Sequence, residues 1–179
     1  MSNFRKTYTI KAGRSWSWPL NFKRFRSWVQ KFSIQADSGM NWVYRVEGVN
    51  QYDWNTLLEF RNSIFRPKQG SIKLVWKYNP TKTSVDFACM SYTHGVRSVS
   101  VPLSVPFDHM FTNPNIAVTF DNAACRLYIE VSKDARRIHH TTMFDFNVFI
   151  KNKPWLITHQ FGESEVSPKD LIMHIERVW

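Results

Sequence analysis

The chain has 179 residues, 43% of them apolar and 16% aromatic, which excludes an intrinsically disordered polymer. Its 24 Lys and Arg outweigh 14 Asp and Glu, giving a net charge of +10, and its two cysteines have no zinc-type CxxC spacing. No apolar run approaches the ~20 residues that span a bilayer, so no membrane role is expected.

The length suits one domain, residues 1–179. The start, Met1 to Lys6, leads into a strand-like pattern rather than an apolar export core. Tyr8 and Ile10 mark a short strand. Trp28 to Gln35 marks a longer one. Before Asp37 the chain carries Arg5, Lys6, Lys11, Arg14, Lys23, Arg24, Arg26 and Lys31 and no acid. That stretch holds +8 of the +10. Trp16, Trp18, Phe22, Phe25 and Trp28 interleave with these cations. Aromatics between cations suit stacking on bases or sugars. They equally suit a core with solvated basic neighbours, or docking onto an acidic protein through Arg14, Lys23, Arg24, Arg26 and Lys31.

Trp54, Leu57 and Leu58 have the spacing of one helical turn over Trp54 to Phe60. From there alternation dominates. Ile72, Leu74, Trp76 and Tyr78 face one way, Lys73 and Lys77 the other. The turn Asn79-Pro80-Thr81-Lys82 follows, since Pro presets a turn and cannot continue a central strand. Val85, Phe87 and Cys89 resume the inward face. Thr93-His94-Gly95 reads as a tight hairpin connection. Val96 to Leu103 reads as one strand, limited by Pro102 and Pro106. Asp108 to Pro114 reads as a loop.

Ile116, Val118 and Phe120 lead to a turn at Asp121-Asn122-Ala123. Cys125, Leu127, Ile129 and Val131 return from it. Both cysteines are expected to lie in strands as small buried hydrophobes rather than as a disulfide. Lys133 to Thr141 is polar and reads as a loop. Phe144, Phe146, Val148 and Ile150 suggest another strand, and Leu171, Met173, Ile175 and Val178 the last. Short strands with turn signals every ~8–12 residues predict an all-β sandwich or barrel.

Enzyme signatures are sparse. A glycosidase needs two carboxylates facing each other across ~5–9.5 Å. Asp53 and Glu59 read outside any strand, Asp86 sits among apolar neighbours, and Glu163 and Glu165 fall in a loop. Tyr92, His94 and Arg97 offer lyase chemistry, but turn chemistry explains that hairpin. His139 and His140 are adjacent, so on a strand they point apart and cannot share a metal, and in a loop they would supply only two ligands of the usual four. Asp108, His109 and Ser104 lack an oxyanion hole. Glu163, Glu165 and Asp170 supply hard oxygen ligands for a structural calcium. The simpler reading is a solvated acidic turn, with Asp170 ordering backbone amides, and no cofactor is expected. No P-loop or dinucleotide fingerprint occurs.

The segment Trp155 to Ile175, with Phe161-Gly162-Glu163-Ser164-Glu165 and Ser167-Pro168-Lys169-Asp170, resembles the ending of a β-sandwich family of Bacteroidetes-type bacteria and their phages. The match continues in order along the chain. Tyr8 to Arg14 is similar to the family's opening strand and glycine. Gln51-Tyr52-Asp53-Trp54-Asn55 is similar to its Gln-x-Asp-x-Asn segment. Lys73 to Asn79 resembles its Trp-x-Trp-Asn strand, and Tyr92-Thr93-His94-Gly95-Val96-Arg97 its hairpin. Glu163, Lys169 and Thr56 depart from that pattern, so a ligand site of relatives at those positions does not transfer. The resemblance implies a concanavalin-like jelly roll and no established enzyme activity.

Together these readings predict a two-sheet antiparallel β-sandwich of jelly-roll type acting through its surface. The expected role is a phage virion structural or surface protein with adhesive, carbohydrate-binding function. Its partners would be other virion proteins or surface glycans, and its location the virion or the infected bacterial cytoplasm. Trp16, Trp18, Trp42, Trp54 or Trp155 would stack on sugar rings. The competing readings are a free carbohydrate-binding module, a polysaccharide lyase or glycosidase, and a basic nucleic-acid-binding protein.

Overall fold

The computed structural model describes residues 5–15, 21–24, 29–36, 53–61, 70–106, 108, 114–121, 123–143, 154–160 and 170–178. These form two antiparallel sheets. One has six strands: β1 (Arg5–Ile10), β13 (Leu171–Val178), β3 (Val29–Ala36), β9 (Asn115–Asp121), β10 (Arg126–Lys133) and β11 (Arg136–Met143), in that order. The other runs β2 (Asn21–Arg24), β12 (Pro154–Gln160), β4 (Asn55–Arg61), β5 (Gly70–Asn79), β6 (Ser84–Thr93) and β7 (Val96–Val99), and β8 (Leu103–Pro106) also pairs with β6. The chain switches sheets after β1, β2, β3, β8, β11 and β12, and the first and last strands lie side by side. That winding is a jelly-roll sandwich, the expected class.

Alternation explains the layering. Ile116, Val118 and Phe120 of β9 and Leu127, Ile129 and Val131 of β10 point inward. They meet Ile72, Leu74 and Trp76 of β5 and Val85, Phe87 and Cys89 of β6 in one core. Three phenylalanines tie the sheets together. The Phe60 ring lies 4.6 Å from Phe120, edge-on, and 5.5 Å from Phe32. Such pairs add about 0.5–1.5 kcal/mol each beyond area burial.

Four expectations are corrected. Trp54 to Phe60 contains no helical turn. It leads into strand β4, whose register against β5 shifts between Thr56 and Leu58. The bulge lets adjacent Leu57 and Leu58 both enter the core, which mimics helical spacing in the sequence. Val96 to Leu103 is two strands, not one. The chain breaks at 100–102, so that β7 and β8 pair with different halves of β6. Lys133 to Thr141 is not a loop: a two-residue turn at Asp134-Ala135 starts β11, an edge strand with mostly exposed side chains. Among the described residues it pairs with β10 alone, and its polar composition removes the apolar alternation that reveals central strands. Cys125 sits in the β9–β10 turn with φ 53°, half-buried, whereas Cys89 is buried in β6 as expected. Neither forms a disulfide. Burial pushes the Cys89 thiol up to about 12.

The turns follow their residues. Asp121 Oδ1 accepts from the Ala123 and Ala124 amides at 3.1 and 3.0 Å, an Asx turn. His94 and Gly95 take φ of 50° and 88°, the two left-handed positions of a type I′ hairpin. Val178, expected at the end of the last strand, is there but exposed. Phe144 to Ile150, Trp28 and most of the Asp108 to Pro114 segment lie outside the described residues.

Candidate functional site

β5 and β6 are buried on both faces. Their inner face is the core. Their outer face carries Ser71, Lys73, Val75 and Lys77 from β5 opposite Tyr92, Met90, Ala88 and Asp86 from β6. Glu59 and Thr56 of β4 lie beside Lys73 and Val75. The centre of this face is apolar, with Val75, Ala88, Met90 and Tyr92 clustered and Trp54 packed against them.

Two polar groups flank that centre. In the first, Lys73 Nζ lies 3.5 Å from Glu59 Oε1 and 5.5 Å from the centroid of the Tyr92 ring. The Glu59 side chain is wholly buried and that of Lys73 nearly so. A buried charge needs a partner, and here each supplies the other's. The alternation at Lys73 was read correctly as opposite to the core, yet that face is also buried.

The second group lies at the other end of the face. Asp86, 2% exposed, accepts from Asn79 Nδ2 at 3.0 Å and Ser84 Oγ at 3.1 Å. It is therefore not alone among apolar neighbours, as the sequence suggested. Lys77 is its cross-strand neighbour in register. The Lys77 ammonium sits 4.6 Å from the Trp54 ring centroid, a cation–π contact on a half-buried indole. Trp54 thus lies half-buried at the end of the apolar cluster, with the Lys77 ammonium against its ring.

Glu59 lies on β4, correcting its reading outside any strand, but it does not face Asp86. The two are separated by four residues along the strands and two strands across, roughly 16 Å from strand spacings. That exceeds the ~5–9.5 Å of a glycosidase pair. Tyr92 is buried beside Lys73, His94 occupies the hairpin turn and Arg97 lies exposed on β7.

The remaining candidates disperse. Trp155 lies in β12, paired in register with Lys23 of β2, and Pro154 with Arg24. Trp155 and Trp54 belong to opposite ends of the β12–β4 pair. Arg14 is exposed in the turn after β1, where its amide donates to the Lys11 carbonyl at 2.9 Å. Lys31 is exposed on β3, in the other sheet from Lys23 and Arg24. Trp16, Trp18, Trp42, Arg26, Glu163 and Glu165 lie outside the described residues.

Asp170 is described. It accepts from Lys11 Nζ at 2.7 Å and from the Ala12 amide at 2.9 Å. The Lys11 hydrogen bond, then the Ala12 amide, hold its carboxyl below the usual value. Both its oxygens thereby join the first strand's end to the last strand's start. His139 is exposed and His140 half-buried, and because this segment is strand β11 rather than the expected loop they point to opposite faces.

No family model matches the sequence, and no curated protein matches it. Solved structures do share the fold. The enzymatically active domain of tailspike protein 2 from bacteriophage CBA120 superposes over 98% of this chain with a TM-score of 0.54 at 8% identity. The full-length tailspike of that Escherichia coli phage covers 92% with a TM-score of 0.52 at 8% identity. A GH43 glycoside hydrolase, engineered for both endo-xylanase and exo-arabinofuranosidase activity, covers 89% with a TM-score of 0.51 at 8% identity. The chain spans 28%, 23% and 31% of those proteins, less than a third of each. At this identity the likeness is one of fold: a two-sheet sandwich that recurs within larger proteins.

Proposed function

We propose that the chain is a non-enzymatic jelly-roll module with an adhesive, carbohydrate-binding role in a phage virion. The observation that carries this reading is the Trp54 site. A half-buried indole, packed on the Val75, Ala88, Met90 and Tyr92 cluster with the Lys77 ammonium 4.6 Å from its ring centroid, combines an aromatic surface with a donor for sugar hydroxyls. Against catalysis stand the carboxylates themselves: Glu59 is buried against Lys73, Asp86 is held by Asn79 and Ser84, and the two are too far apart for paired acid–base work. Tyr92 is too buried to reach a polysaccharide as a lyase base. The phage part of the reading draws support from the tailspikes that share the fold and from the motif resemblance to phage-encoded sandwiches.

A glycan array with purified wild-type protein and Trp54→Ala is the test. The wild type should bind at least one glycan class, and removing the indole should weaken that binding by about 1–3 kcal/mol, the scale of one aromatic stack. Binding that survives unchanged in Trp54→Ala would move the site elsewhere on the sandwich. Co-purification with phage particles tests the virion half. A protein that stays free while particles assemble normally would leave a free carbohydrate-binding module.

A further inference from the structure

The six-stranded sheet holds a polar pocket on its outer face. Leu171, Met173 and Ile175 of β13 and Phe32 and Ile34 of β3 turn to the core. Strand alternation therefore turns His174, Glu176, Ser33 and Gln35 outward. The register sets Glu176 beside Ser33 and His174 beside Gln35. These four side chains line one pocket of about 170 Å³. Their Cα atoms mark a rectangle roughly 5 Å across the strands and roughly 7 Å along them. That floor suits one small ring rather than an extended chain.

Existing hydrogen bonds decide what the pocket offers. Ser33 Oγ donates its one proton to Asn115 Oδ1 at 2.7 Å, which leaves its lone pairs for a ligand. Thr7 Oγ1 lies 2.9 Å from His174 Nδ1, so the imidazole is held and Nε2 is the ring nitrogen still available. Among the described residues, neither the Glu176 carboxylate nor the Gln35 side-chain amide has a hydrogen bond or an ion pair. Two acceptors, Glu176 and Ser33, thus lie side by side. They face an amide that both donates and accepts, and an imidazole nitrogen that does either according to tautomer.

We propose that this pocket binds one neutral sugar unit, with Glu176 and Ser33 accepting from its hydroxyls and Gln35 and His174 completing the hydrogen bonds. Charge and chemistry select that class. The Glu176 carboxylate repels phosphate, sulfate and acidic sugars. Calcium takes about six to eight oxygen ligands, and a single carboxylate lines this pocket. A free organic cation meets a molecule of net charge +10. A hydroxyl donates one proton and accepts on its lone pairs, so a neutral hydroxylated ring satisfies both kinds of group here. The site lies on the opposite sheet from Trp54 and does not rest on the reading of that residue. Among the described strand residues, the aromatic side chain turned outward on this sheet is Tyr128, two strands beyond β3. Recognition in the pocket therefore works through hydrogen bonds without a stacking platform, and is weak.

Proton–nitrogen NMR correlation spectra of the full chain, titrated separately with D-glucose, D-galactose, D-mannose and methylammonium chloride, test this. At least one sugar should saturably shift the Gln35 side-chain amide and the backbone amides of Ser33, His174 and Glu176. Glu176→Gln, which keeps the side chain's shape, should weaken that binding by about tenfold or more. Gln35→Ala, at an exposed position, should weaken it as well. Trp54→Ala should leave it unchanged. Absence of a saturable shift at these residues with all three sugars would overturn the proposal. So would sugar binding that Glu176→Gln leaves intact, or methylammonium saturating the pocket where the sugars do not. Sugar shifts lost in Trp54→Ala but kept in Glu176→Gln would return the ligand to the seven-stranded sheet and overturn it too.

Discussion

Lys73 and Glu59 show how much a single pair can govern. Both side chains are nearly or wholly buried, with 3.5 Å between Nζ and Oε1. Removing one partner leaves the other charged and out of water, which costs about 3–5 kcal/mol. Lys73→Met should lower stability by that amount in urea unfolding. The double variant Lys73→Met with Glu59→Leu should recover most of the loss, because it buries no orphaned charge. Asp170 behaves differently because it is exposed. Its carboxyl is held below the usual 3.8 by Lys11 and the Ala12 amide. A depressed folded value means the contribution is present above the ordinary value and fades as pH falls through the folded one. Asp170→Asn should therefore lower the melting temperature slightly at neutral pH and leave it unchanged in strong acid.

At the level of elements, local pattern made some strands legible and hid others. β5, β6, β9, β10 and β13 were readable because each alternates large apolar residues on a core-facing side. β4 was hidden by its bulge, which buries two successive leucines and breaks the period of two. β11 was hidden because an edge strand needs no apolar face. The split between β7 and β8 has its own chemistry. Cys89 donates its amide to Ser100 Oγ at 3.0 Å while its carbonyl accepts from the Ser100 amide. Ser100→Ala would leave the buried Cys89 N–H without that acceptor, at about 1–3 kcal/mol. Hydrogen exchange at Cys89 should accelerate accordingly; unchanged exchange would mean that another group takes over. In the candidate site, Trp54 was one of five tryptophans that the sequence offered for stacking, and nothing in the sequence set it apart from the others. The Glu59–Lys73 pair was not legible either, since alternation cannot say that a second sheet face is buried as well.

For the molecule as a whole, charge and architecture are only loosely linked. The N-terminal stretch holds most of the net charge, but Lys31 belongs to one sheet and Lys23 and Arg24 to the other. Docking onto an acidic virion neighbour would thus engage a sandwich end or side rather than one sheet face. Charge reversal at Arg24, Arg26 and Lys31 should impair incorporation into particles. Normal assembly of that variant would remove the N-terminal stretch as a docking element. The central claim is that the sandwich holds a glycan without cleaving it. Incubating the best array ligand with the protein, and measuring bound fraction and chain length in the same sample, tests this most directly. The account predicts saturable binding with the glycan recovered intact. Shortened chains, or new unsaturated ends, would contradict it.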